Sequence, residues 1–154
     1  MKAKVVLLSL VVFFLSAVVC SADSPHMGTW KLNEAKSHFH KGASKNNTVV
    51  YEAAGDQVKV TVDGVDGSGG PTHNEWTGKF NGKYYALTGS PTGDKRSYTR
   101  VNSRTLSIRE KKDGKVVLTG TITVATNGKS RTVRATAKNA QGKWTTNTAV
   151  YDKQ

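Results

Sequence analysis

Three groupings in this chain have side chains that could do chemistry. His38-Phe39-His40 sets two imidazoles at i and i+2, which on an extended segment face one side and could share a zinc or copper ion. A zinc site needs a third and usually a fourth ligand, and none stands at motif spacing, so the pair reads as two surface histidines. Asp63-Gly64-Val65-Asp66-Gly67-Ser68-Gly69-Gly70 gathers two carboxylates and a hydroxyl. It lacks the alternating oxygen ligands and closing glutamate of a calcium loop, and its glycines and aspartates are what a tight solvated turn requires. There is no Gly-x-Ser-x-Gly elbow, the one thiol is Cys20, and the carboxylates are few. The expectation is a non-enzyme with no cofactor and no bound metal.

The scaffold is easier to read. Five turn dipeptides, Gly55-Asp56, Asn81-Gly82, Asp113-Gly114, Asn127-Gly128 and Gln141-Gly142, punctuate short alternating runs. Such pairs mark hairpins, because two-residue loops that match strand twist need positive φ at their central positions. Val58, Val60 and Val62 alternate with Lys59, Thr61 and Asp63, the cleanest half-buried strand, and Asn33 offers a cap for a short helical turn over residues 34–39. Counting from Gly28-Thr29-Trp30-Lys31-Leu32, about ten strands follow in series. A meander of this length escapes open edges by closing on itself. The predicted fold is all-β, an antiparallel up-and-down barrel of about 8–10 strands with at most one helical turn.

Residues 1–22 read as a signal peptide. Lys2 and Lys4 precede an apolar run from Val5 to Val19, and Cys20-Ser21-Ala22 supplies small residues for cleavage. The run is too short to span a bilayer. Lipidation at Cys20 is the less favoured alternative, because Val19 stands where such sites carry a smaller residue. Residues 23–154 then form a single periplasmic or secreted domain with no stable membrane insertion. It has 132 residues, no cysteine, and a formal net charge of +10 from 21 Lys/Arg against 11 Asp/Glu. Without disulfides its stability must come from closure and packing. Basic residues occur in nearly every strand and turn, with a concentration at Lys95, Arg96, Arg100, Arg104, Arg109, Lys111, Lys112 and Lys115. Residues 23–27 and 40–47 are the segments expected to be mobile.

Alternation assigns Trp76, Phe80, Val116, Leu118, Ile122, Trp144 and Val150 to the interior, with Tyr51 alongside. Tyr98, Arg96, Arg100 and Arg109 are placed on the opposite, solvent side from Val101, Leu106 and Ile108; reversal on closure would make them polar pocket residues. A barrel of this size either fills its interior with side chains or holds one small ligand. The ligand reading is an exported, non-enzymatic binding protein holding a small, partly apolar or amphipathic molecule. Tyr51, Trp76, Phe80, Leu118, Ile122, Trp144 and Tyr151 are its candidate contacts, with Tyr51 or Tyr151 orienting a polar end. The alternative is a cationic envelope module for an anionic polymer: lipopolysaccharide, cell-wall polymer or nucleic acid.

The opening Gly28-Thr29-Trp30, a short helical turn and a run of hairpins resemble the calycin superfamily of lipocalin, fatty-acid-binding and avidin-like barrels. The chain also resembles small exported bacterial proteins with a lipocalin-like barrel. The resemblance implies that Gly28 and Trp30 are structural, with Trp30 closing one end of the core beneath an arginine, Arg131 or Arg134 being candidates. Two departures bear on function. The stretch from Asn33 to Asn47 is too short for the helix-turn-helix lid of intracellular lipid-binding proteins. Their Arg-x-Tyr carboxylate clamp corresponds to Ala149-Val150-Tyr151, so only Tyr151 carries over.

Overall fold

The structure, a computed structural model, describes residues 24–139 and 141–154. The expected signal peptide therefore lies outside the described residues. Ten antiparallel strands close into one barrel: β1 (Gly28–Leu32), β2 (Lys45–Ala54), β3 (Gln57–Val65), β4 (Pro71–Gly78), β5 (Tyr85–Thr88), β6 (Lys95–Asn102), β7 (Thr105–Lys112), β8 (Lys115–Val124), β9 (Ser130–Lys138) and β10 (Trp144–Lys153). Each strand pairs with its sequence neighbours, and β1 pairs with β10 to seal the wall. The one helical element is a 3-10 turn, Glu34–Lys36, whose first turn is capped by the Asn33 side chain accepting from the Lys36 amide. Asp113-Gly114 turns β7 into β8 with positive φ at both residues, 49° and 76°, as the primed two-residue turn demands.

Register decides which side chains enter the barrel, because directly opposed residues share a face. On β7 Leu106, Ile108 and Glu110 point inward, and β6 sets Arg100, Tyr98 and Arg96 opposite them. Arg96 and Tyr98 are consequently buried inside, contrary to the solvent-facing assignment, while Arg109 is exposed. Arg100 lies near one end and is exposed, its guanidinium over the Phe80 ring. Val101 sits at a register irregularity beside the β6–β7 turn and is 61% exposed.

Three further interior assignments are corrected by the same logic. Between the pairs Glu110↔Leu118 and Lys111↔Val116, β8 advances two residues while β7 advances one. That bulge puts Val116 opposite an outward lysine, and it is exposed. On β10, Ala149 and Tyr151 are the buried residues, so Trp144 and Val150, on the other parity, face out. Trp144 stands 45% exposed with the Lys138 ammonium over its ring. Asn81-Gly82 is not a two-residue hairpin turn: Asn81 bridges to Thr99, and the Gly82 amide donates to the Tyr98 carbonyl. Nor is the entry to β1 loose, since His26 is fully buried and its carbonyl accepts from Trp30 Nε1 at 2.9 Å.

Candidate functional site

The barrel interior has two unequal halves. Toward one end Trp76, Phe80, Tyr85 and Tyr98 form an aromatic cluster, with Trp76 stacked on Phe80 and edge-on to Tyr98 at 4.8 Å. Trp76 Nε1 donates to the Arg96 carbonyl at 2.8 Å. Trp76 belongs to the packed core and does not line the inner cavity; Phe80 packs against that core and, with Val58 and Arg100, lines a separate, more open pocket of about 240 Å³. Of the seven sequence candidates, Tyr51, Leu118, Ile122 and Tyr151 line the cavity, Trp76 and Phe80 pack beside it, and Trp144 lies on the outer wall.

The cavity measures about 80 Å³. Its lining mixes apolar side chains, among them Val49, Ile108, Leu118 and Ile122, with the polar groups of Arg96, Glu110, Arg131 and the tyrosines. Arg96 donates from Nε to Glu110 Oε1 at 2.7 Å, its Nη2 lies 2.6 Å from the same oxygen, and Asn74 Oδ1 accepts from Nη2 at 3.2 Å. This pair is internally satisfied. Burial pushes the Tyr151 phenol up to about 12, against the pull of Arg131, so it stays a protonated donor at neutral pH.

Arg131 is different. It is 2% exposed, and its guanidinium lies 4.8 Å from the Trp30 ring centroid and 4.9 Å from those of Tyr51 and Tyr151. Of the two arginines open at the sequence level, this is the one over Trp30; Arg134 is on the outer wall. Its Nε and Nη1 are buried and have no hydrogen-bond partner. A buried charge without a counter-ion costs several kcal/mol. Cation–π contacts worth about 0.5–2 kcal/mol each offset part of that. With Arg96 and Glu110 cancelling, the cavity carries one uncompensated positive charge.

His26, missed in the sequence because nothing in a lone terminal histidine signals burial, lies behind Trp30 and edge-on to Phe80. Burial, then the nearby charges of Arg131, Arg100 and Lys153, lower its pKa from 6.5 to about 4. Stability rises with pH wherever the unfolded chain holds more protons. Here the unfolded imidazole is protonated below 6.5 and the folded one only below about 4, so this contribution is complete above 6.5 and lost as pH falls toward 4. At 1.36 kcal/mol per pKa unit the loss is roughly 3 kcal/mol. Urea unfolding of wild type and His26→Phe at neutral pH and near pH 4 checks this: the difference between the two proteins should shift with pH by that amount.

The other polar groupings are engaged locally. Asp66 Oδ1 accepts from the Ser68 amide, the Ser68 hydroxyl and the Gly70 amide, an Asx-type turn that holds its carboxyl below the usual range. Asp63 lies 2.6 Å from His73 Nδ1. The His38 and His40 rings share one exposed side, 6.4 Å apart. Among the described residues no group of three or more His, Cys, Asp or Glu is placed to hold a metal.

No family model matches the chain. No curated protein matches it either. Among solved structures it is similar to a redesigned β-barrel, with 12% sequence identity, 88% of this chain and 97% of that chain covered, and a TM-score of 0.46. The pairing of its own strands makes the protein a closed, antiparallel, ten-stranded β-barrel.

Proposed function

We propose that this is a non-enzymatic, exported, calycin-like barrel that holds a small organic monoanion, a short carboxylate above all, in its interior. The observation that carries the reading is the buried Arg131 guanidinium, its Nε and Nη1 without a hydrogen-bond partner, set in the wall of a cavity of about 80 Å³. A carboxylate there would accept from Arg131 and from the Tyr51 or Tyr151 hydroxyl, while its hydrocarbon end meets Val49, Ile108 and Ile122. The partly apolar ligand expected from sequence keeps its amphipathic character but shrinks. A cavity of about 150 Å³ takes benzene, so about half that volume suits a ligand of roughly four non-hydrogen atoms. At a ceiling near 1.5 kcal/mol per atom such a ligand gains no more than about 6 kcal/mol, a Kd on the order of tens of micromolar at best. The fatty-acid clamp is not the support for this reading, since Ala149 stands at the clamp's arginine position.

Titration with acetate and with neutral acetamide, following the Trp30 indole N–H by NMR, tests the proposal. Acetate should saturate the Trp30 shift at least tenfold more tightly than acetamide, and Arg131→Gln should abolish the preference. Equal binding of the two would leave the cavity as a binding site but remove the anion; no response to either would remove both.

A further inference from the structure

Charge on this barrel is divided between its walls. Residues 24–94 carry seven lysines against seven acids, whereas residues 95–143 carry thirteen Lys/Arg against only Glu110 and Asp113. Because β6, β7, β8 and β9 are consecutive staves, a bias along the sequence becomes a bias in space. The opposite wall is neutralised by its own ion pairs, Lys59 with Glu75, Lys79 with Asp56, Lys45 with Glu34 and His73 with Asp63. Among the described residues the outward cations of β7–β9 have no such carboxylate partner; Arg96, which does, is inside.

Register gives the cationic wall a texture as well as a sign. Every outward position from Thr105 to Arg109, from Thr119 to Thr123 and from Thr132 to Thr136 is Ser, Thr or Arg. Arg109 stands opposite Thr119, Thr121 opposite Arg134, and Thr123 opposite Thr132. Strand spacing sets such neighbours about 4.8 Å apart across the sheet and about 6.8 Å along it. The wall is a grid of hydroxyls interrupted by guanidinium groups, with Lys112, Lys115 and Lys138 toward one end and Arg104 toward the other.

We propose that the outer face of β7, β8 and β9 binds a linear acidic polysaccharide. Guanidinium groups pair with its carboxylate or sulfate groups, and the threonine hydroxyls exchange hydrogen bonds with its sugar hydroxyls. A single ring stands at the edge of the grid, Trp144 of β10 under Lys138, where sequence-tolerant single-strand binding relies on a series of rings for successive bases. The grid's one exposed large apolar side chain is Val116, at the bulged end of β8, where interfacial anchoring requires a whole apolar face. Charge complementarity and hydroxyl density together favour the glycan over either.

The test measures binding of a heparin oligosaccharide, a DNA duplex and phosphatidylglycerol vesicles at about 50 and about 200 mM salt, conditions across which counterion release is large. Heparin should bind most tightly, and Arg109→Ser/Arg134→Ser should weaken it by about tenfold at low salt and flatten its salt dependence. A control pair on β3 and just after β4, Lys59→Ser/Lys79→Ser, on the far side of the barrel from β8, should change it less than twofold. The proposal is overturned if the control pair loses as much, if duplex or vesicles bind as well as heparin, or if heparin does not bind at low salt.

Discussion

Glu110→Ala is expected to destabilise the protein by about 3–5 kcal/mol, because it strands the Arg96 guanidinium in the barrel with only Asn74 Oδ1 for company. Both side chains of the pair are 6% exposed, so water cannot replace the lost carboxylate. A domain of this size has a total stability of roughly 5–15 kcal/mol, and the variant would lose a large part of it. Replacing both partners, Arg96→Met with Glu110→Leu, should come out within about 1–2 kcal/mol of wild type, since it removes the two desolvated charges together. The Trp76 hydrogen bond survives either change because its acceptor is the Arg96 backbone carbonyl. Urea unfolding of wild type, the single variant and the double variant sets the two losses side by side. A single variant as stable as wild type would mean that the pair contributes no net attraction.

Trp30→Ala should cost a similar 3–5 kcal/mol, by a different route. The indole is fully buried, donates to the His26 carbonyl, and underlies two cations, Arg131 at 4.8 Å and Lys153 at 5.3 Å. Its removal opens a cavity at the seam, takes one aromatic face from Arg131 and frees the segment from Ser24 to Met27. Trp30→Phe keeps a ring beneath Arg131 and loses the indole hydrogen bond, so it should cost about 1–2 kcal/mol. Thermal melts of both beside wild type separate ring from hydrogen bond; equal losses would show that the hydrogen bond, not the packing, is what Trp30 contributes.

Strand positions were legible from sequence because alternation and turn residues are local, and the runs around Val58, Val60 and Val62 needed no partner to be read. Facing was less so. Trp144 and Tyr151 were both placed inside, yet they are seven apart on a strand without a bulge, and an odd spacing forces them to opposite faces. Val116 failed for the converse reason, a bulge that alternation cannot foresee. Alternation sets Arg96 and Tyr98 on the face opposite Val101, but Val101 lies at a register irregularity and is itself outside, and Glu110 on the next strand supplies the partner that makes an internal arginine tolerable. Arg131 was visible only as one of two candidates, because its value as a site depends on three rings from β1, β2 and β10. The one-sided charge is legible in the sequence, where basic residues concentrate from Lys95 to Lys115 and every arginine falls between residues 96 and 134, because charge needs no register to be read.

The seam between β1 and β10 also governs how the molecule acquires its structure. Asn33 Nδ2 reaches Asp152 across 119 positions of chain, and Lys31 pairs with Asp152 in the ladder itself. Contacts of such separation form late, after most of the loop-closure entropy has been lost, so barrels of this kind fold slowly. Until the seam shuts, β1 and β10 are both open edges, and Arg131, opposite Tyr151 in the β9–β10 hairpin, lacks the Trp30 and Tyr51 faces that β1 and β2 bring to it. Closure and completion of the arginine's surroundings are therefore a single event, and a half-built barrel has no working interior.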